Sequence, residues 1–515
     1  MVRTRDSEDR DRRELPQKTK IFFYALTGTF FFIIAIWLTR PLWHWLFIMF
    51  YVYPVIIEVL VIAIIISGLY RHFIGQDAGT IFVVIAIIGL IAGGAFAGIF
   101  SQTYLSDHLA VSEISELPNS ELDTIRIMPL AVSERYARDA LQYPRYQLGT
   151  GDIVFINGTP HWEYTLIPDG LVNWFKLKNR GAVYVDMTTT RKNTQIVEQY
   201  MQIGEGMAVS DWYLWKLYKE RYWVTYEDTY VIPYENDLYI AVPIVSYSVK
   251  HRGLVLYTVP RWDGIALIDS AGNTQFLKPS EALENPVLKE QKLFPEKLTR
   301  YYVNSFRYKQ GIVNKWFYHV EQLEIAEVPG QYNEQPFLIN TDQGMKWIIT
   351  CEPYGEAHGI FKIYVIDART GAMQSFTQSK QAALLGPVKA TDYLRKANPI
   401  VDWSRFILVE PIPVILNNTL YWHVRVIPDD ASGISYTAMV DALTTDVTEL
   451  KTEKELRDYL TGEPITDITP EFKEGAAILI IIQEDGIEKN RIEVYPNQTF
   501  VVIPMGEGEK GNSTN

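Results

Sequence analysis

Residues Ile21–Thr39 (IFFYALTGTFFFIIAIWLT), Tyr53–Tyr70 (YPVIIEVLVIAIIISGLY) and Thr80–Phe100 (TIFVVIAIIGLIAGGAFAGIF) are three apolar runs in close succession. Each approaches the roughly 20 residues a helix needs to cross about 30 Å of hydrocarbon. Everything after Phe100 is of ordinary polarity. The spacing predicts a three-helix membrane anchor over 21–100, with spans at about 21–39, 53–70 and 80–100. The first run is too long for a cleaved signal, and Thr39-Arg40-Pro41 is not a small-residue cleavage site. Arg10, Arg12, Arg13, Lys18 and Lys20 precede it, and Arg71 and His72 follow the second run. The positive-inside rule makes that side the cytoplasm and sends the bulk of the chain outside. Pro41–Tyr51 is rich in aromatic residues and suits either an interfacial segment or an extension of the second span.

Within the runs, Glu58 stands out, because a carboxylate in hydrocarbon must be protonated, paired or close to an end. Proton or cation handling is one reading, and a side chain reaching the interface is the other. Gly89, Gly93, Gly94 and Gly98 place small residues four apart on one helical face, which lets helices approach closely in lipid. Packing against the other two spans and self-association both fit that pattern.

Composition divides as sharply as hydropathy. The first twenty residues are basic, while the whole chain carries a net charge of −13. The remainder is therefore acidic, which excludes a nucleic-acid surface built on clustered Lys and Arg. A single cysteine, Cys351, rules out an intrachain disulfide framework.

Beyond a connector and small unit (101–150), the chain repeats itself four times. Each copy carries a turn, then an aromatic-containing strand running to a proline: Ile156–Pro168, Glu235–Pro243, Thr341–Pro353 and Leu416–Pro428. Each is followed by a strand closing on an aspartate, at Asp186, Asp269, Asp367 and Asp441. Alternating and β-branched residues predict half-buried strands, and the Asn, Asp and Gly residues between them predict turns. A lone hairpin cannot bury its apolar face. Helical stretches at Ser280–Leu283, Lys380–Leu385, Ala390–Lys396 and Lys451–Leu460 supply cover, and Ser133–Gln142 opens like a helix. Thr124–Met128 reads as a strand. Ser210–Tyr222 is amphipathic and aromatic, suited to burial on a sheet or to a ligand or membrane surface. The expected fold is thus α+β: the anchor, then antiparallel β-hairpin/helix units over 151–225, 226–330, 331–400 and 401–465. A β segment over 466–505 and a disordered tail over 506–515 follow a basic N-terminus at 1–20.

Ile363-Tyr-Val-Ile-Asp-Ala-Arg-Thr-Gly-Ala and its three counterparts resemble the closing strand and turn of PepSY-type modules. The layout also resembles uncharacterised bacterial envelope proteins with several N-terminal helices. The resemblance implies a regulatory or ligand-binding role outside the cytoplasm, and it carries no catalytic residue.

No His-Glu-x-x-His, phosphate-loop or Gly-x-Ser-x-Gly pattern occurs, and the eight histidines never pair at metal-ligand spacing. No catalytic, cofactor or metal residue is assigned. The four aspartates are structural turn acceptors, too scattered to share a cation. The expectation is a non-catalytic extracytoplasmic binding, scaffold or regulatory protein. Its expected partners are membrane lipid and another envelope protein or a second copy of itself. A transporter subunit using Glu58 and the third span, and a surface enzyme, are the alternatives.

Overall fold

The structure is a computed structural model. It describes residues 17–73, 84–85, 87–89, 98–328, 334–355, 359–378, 383–462, 478–484 and 487–494.

The front of the chain departs from three crossings. Helix α1 (Gln17–Leu38) ends where Thr39 turns its hydroxyl onto the Ala35 carbonyl, and Pro41 has no N–H to continue the ladder. The chain bends by 89° into α2 (Arg40–Val52), then passes Pro54 into α3 (Val55–Phe73). Among the described residues, only α3 is by itself long and apolar enough to cross a membrane, with the bent α1–α2 pair as a second candidate. Of the expected three-helix anchor, the described residues support one such helix, or two. The expected third span lies largely outside the described residues, which include helical positions 84–85, 87–89 and 98–105.

The remainder is a mixed α+β fold, and through Leu456 it belongs to one compact unit. After β1 (Val111–Ile114) come four antiparallel sheets, each a meander of four strands. The first follows α4 (Leu130–Ala140) and orders β3 (Asp152–Ile156), β4 (Thr159–Pro168), β5 (Asn179–Asp186) and β6 (Thr194–Met201), with β2 (Tyr146–Leu148) added on β4. The second follows α5 (Tyr213–Glu220). It orders β8 (Tyr230–Tyr234), β9 (Asp237–Arg252), β10 (Val255–Ile268) and β11 (Thr274–Leu277), with β7 (Thr225–Tyr226) on β9. The third follows α6 (Glu296–Ser305) and orders β13 (Phe337–Thr341), β14 (Gly344–Pro353), β16 (Lys362–Asp367) and β17 (Met373–Thr377). It gains β12 (Leu323–Ile325) on β14 and β1, in parallel, on β17. A short pair, β15 (Gly359–Ile360) with β18 (Leu384–Leu385), precedes α7 (Pro387–Ala397). The fourth sheet orders β19 (Phe406–Leu416), β20 (Thr419–Pro428), β21 (Tyr436–Asp441) and β22 (Val447–Leu450), and α8 (Glu453–Thr461) follows.

Two-residue loops join the first two strands of every meander. Asn157 and Gly158 hold positive φ in the first and Asn417 and Asn418 in the fourth, the backbone that matches strand twist in tight hairpins.

A recurring latch explains how three of the sheets are covered. Trp162, Trp347 and Trp422 occupy equivalent places, paired with Val185, Ile366 and Val440, the residue before each closing aspartate. Their indole N–H groups donate to the carbonyls of Met128 (3.0 Å), Phe294 (3.0 Å) and Leu385 (2.7 Å). The same crossing segments donate backbone N–H to the residue after the aspartate: Met128 to Met187, Phe294 to Ala368, and Leu385 to Ala442. A proline comes one or two residues later and a helix begins. The second sheet has Ile240 at the matching place, paired with Ile268.

Strand alternation shares cores between neighbouring sheets. Trp162 and Tyr164 of β4 join Trp347 and Ile349 of β14 around α4 and α6. Val154 and Tyr184 of the first sheet join Ile240 and Val242 of the second. Ile348 and Val365 of the third join Trp422 and Val424 of the fourth. Strands buried on both faces read as near-continuous apolar runs.

Smaller expectations shift. The helix expected at Ser133 starts at Leu130, and Ser133 donates its hydroxyl back to the Leu130 carbonyl. Thr124–Met128 is irregular, because its N–H groups at Ile127 and Met128 both serve the Met187 carbonyl. In the expected helix at Lys380–Leu385, Ser379–Ala382 lie outside the described residues and Leu384–Leu385 is a strand. The second compact unit, Arg457–Asn515, contains an antiparallel hairpin, β23 (Ile478–Glu484) with β24 (Ile487–Val494).

Trp422→Phe keeps most of the ring but leaves the Leu385 carbonyl without its donor, at an expected cost of about 1–3 kcal/mol. Chemical unfolding of the detergent-solubilised chain measures it. Trp45→Phe, at a 65 % exposed position, is the control and should stay within about 0.5 kcal/mol.

Candidate functional site: an acidic cavity between the first two sheets

A cavity of about 290 Å³ opens where β3 and β4 face the start of β8 and the link that leads into it, closed on the third side by Lys292–Lys297. Its floor is apolar, with Leu130, Ile153, Trp162, Tyr230 and Phe294. Its walls carry Asp152, Glu205, Glu227, Asp228, Glu296 and Glu334 against Lys292 and Lys297.

The local fold places each group. Asp152 begins β3, and Gly151 before it lets the chain pass so close to the Tyr164 ring that a Cβ would lie 2.6 Å from a ring carbon. Glu227 and Asp228 sit in the link between β7 and β8. Lys292 and Glu296 flank the latch segment, with Glu296 in the first turn of α6, where the helix dipole favours a negative charge.

Three carboxylates are matched by cations: Asp152 by Lys292, Asp228 by Lys297 (2.6 Å) and Glu334 by Arg300 (3.0 Å). Among the described residues, Glu205, Glu227 and Glu296 have no such partner. Burial raises the carboxyls of Glu205 and Glu227. Glu296 is an exposed residue on the cavity lining, and the protein packed around its carboxyl pushes it up to about 7, with Lys292 opposing. Burial also raises Asp152, with Lys292 opposing. Behind the wall, Glu163 is 1 % exposed between the first two sheets. It accepts the Thr165 hydroxyl at 2.8 Å, and desolvation pushes it up to about 8.

A second polar cluster lies deeper. Glu410, left-handed at φ 45° in a bulge of β19, is fully buried. It accepts the N–H of Leu130 at the start of α4 (2.5 Å) and pairs with Arg425 (2.8 Å) and Arg126 (3.8 Å). His423 is buried beside them, and desolvation, reinforced by Arg425, holds its imidazole far below the usual range, hence neutral.

None of these residues stood out in the sequence as a site; only the acidic balance of the chain pointed toward them. The residues that did stand out lie elsewhere. Glu58, in the first turn of α3, accepts the backbone N–H of Leu256 from the β9–β10 hairpin at 3.0 Å. Gly89 sits against Val59 of α3, where a Cβ would lie 2.5 Å from Cγ1; Gly98 has open space, and Gly93 and Gly94 lie outside the described residues. The four aspartates each accept turn N–H groups: Asp186 from Thr188, Asp269 from Asn273, Asp367 from Arg369 and Thr370, and Asp441 from Leu443 and Thr444. Among the described residues, no three His, Cys, Asp or Glu side chains are arranged to hold a metal ion.

No family model, no curated protein and no solved structure matches the chain.

The folded chain holds the Glu163 proton up to about 8, whereas the unfolded chain releases it near 4.5. This group therefore contributes stability below about 4.5 that is lost as pH rises toward about 8. Glu163→Gln should flatten that part of the Tm–pH curve; an unchanged slope would refute the assignment.

Glu58→Ala leaves the Leu256 N–H unpaired, while Glu58→Gln keeps an oxygen to accept it. Trypsin should cut at the exposed Lys250 and Arg252 several-fold faster in the alanine variant than in the glutamine variant or the parent chain, since an unmet buried donor is worth about 1–3 kcal/mol.

Proposed function

We propose that this chain is a membrane-anchored binding protein, displayed outside the cytoplasm, whose acidic cavity takes a small cationic group such as a primary amine or guanidinium. The observation that carries this reading is the set of three carboxylates, Glu205, Glu227 and Glu296, that face one cavity and, among the described residues, make no ion pair, although Lys297 lies near Glu227 and Lys292 near Glu296. The apolar floor suits the carbon stem of such a ligand, and convergent polar groups over an apolar lining are what small-molecule sites share. On this reading the four sheets are repeated PepSY-like units that frame the cavity, the apolar front helices hold the protein to lipid, and the natural ligand is an amine presented by a peptide or another envelope protein.

Spermidine titrated into the solubilised full-length chain in a calorimeter tests the cavity. Binding should be saturable, should release protons, and should tighten as pH rises through about 7, because Glu296 attracts a cation only when ionised. Glu227→Gln and Glu296→Gln should each weaken it about tenfold or more, the ~1.5–3 kcal/mol of a hydrogen bond to a charged group. No heat of binding, or equal binding of succinate, would overturn the proposal.

A surface enzyme is the second reading, favoured by Glu296 titrating near neutrality, where a carboxyl can both give and take a proton. It requires that the captured amine compound be chemically altered, and that Glu296→Gln stop this.

A further inference from the structure

The β9–β10 hairpin outruns its own sheet. The flanking strands pair with it no further out than Val245 and Ile265, so Ser246–Arg252 and Val255–Arg261 form an arm that, among the described residues, no third strand pairs with. A two-stranded ribbon alone is marginal in water. Here the front helices hold it. Thr258 donates its hydroxyl to the Val52 carbonyl at the end of α2 (2.7 Å), Leu256 donates its N–H to Glu58, and Val255 packs on Val55 and Ile56.

These contacts give the arm a place. Thr258 meets the end of α2 at Val52, Leu256 meets the Glu58 side chain and Val255 lies on Val55 and Ile56, so the arm lies beside the first turn of α3. Leu254 lies two residues beyond Leu256, at about 3.3 Å each. That leaves it within about a helical turn or two of the first turn of α3, a helix whose only acidic residue is Glu58. Gly253 makes the turn at φ +63°, and Leu254 beside it is 96 % exposed, an extreme for leucine. Behind it on the other strand, Lys250, His251 and Arg252 are exposed as well. Arg252 pairs with Asp107 at 3.1 Å, but both side chains are well exposed, so the pair holds weakly.

An apolar tip backed by cations, carried along an apolar helix, has the layering of a membrane surface: acyl chains, then anionic headgroups, then water. We propose that the arm is a membrane probe, seating Leu254 among the acyl chains of the bilayer that α3 crosses, with Lys250 and Arg252 on the phosphates of an anionic phospholipid. The outward side of α2, with Trp43, Trp45 and Phe47 exposed, lies against the same boundary.

The proposal rests on the anchored reading above, and one experiment separates the two. The buried Cys351 is replaced by alanine in the full-length chain. An environment-sensitive thiol dye is then placed at Leu254→Cys or, as the anchor reporter, at Ile62→Cys on the exposed side of α3. The proteins are reconstituted into phosphatidylcholine vesicles with or without phosphatidylglycerol, and brominated acyl chains serve as quenchers. The expected result is a blue shift and quenching at both positions, with the position-254 signal strongest in phosphatidylglycerol and reduced to the phosphatidylcholine level by Lys250→Glu with Arg252→Glu. Quenching at 62 with none at 254 overturns the probe and leaves the anchor standing. No quenching at either position overturns the anchor itself. Equal quenching at 254 in both lipids overturns the part played by the anionic headgroup.

Discussion

An indole N–H donating to the carbonyl of a segment that crosses above it organises three of the four sheets. Each such bond closes a circuit: the tryptophan is on the second strand, the residue after the closing aspartate binds the crossing segment, and that segment then enters a proline and a helix. A buried carbonyl needs a donor, and a large flat ring needs a lid; one side chain meets both demands. The helices α4, α6 and α7 are positioned by this device, and so is the cavity, because its third wall is the crossing segment Lys292–Lys297.

The strands were legible in the sequence because their causes are local. Asn157-Gly158 and Asn417-Asn418 dictate tight hairpins, and each closing aspartate ties down its own turn within a few residues. What the sequence did not reveal is which sheet meets which. A run such as Trp347-Ile-Ile is apolar on both faces of the strand, and nothing in it says that one face will meet α6 and the other Trp422 and Val424. Thr124–Met128 misled for a related reason: its β-branched composition is that of a strand, but the Thr124 and Ile125 N–H groups close a local turn and those of Ile127 and Met128 share one carbonyl. At the front, an apolar window sees residue content and not direction, so it cannot register that Thr39 and Pro41 turn the chain by 89°.

The cavity was illegible because no short segment contains it. Asp152, Glu205, Glu227 and Glu296 come from four separated stretches, and each alone is an ordinary surface acid. Only folding brings them into one space, where loss of water raises their carboxyls and the nearby Asp228 adds to it. The sequence features that drew attention, the repeated aspartates and Glu58, turned out to be occupied by backbone N–H groups.

Glu410 adds a constraint of timing. Its carboxylate meets Leu130, 280 positions earlier, and Arg126 and Arg425 as well. Nearby, Ser120 exchanges bonds with Ile415, and Asn418 meets Leu117. The opening of the folded part and its last sheet therefore complete each other. A chain emerging from synthesis must carry Arg126 without its carboxylate, and the start of α4 without its acceptor, until the fourth sheet has appeared. Maturation of such a molecule is a closing of a ring rather than a stacking of finished modules.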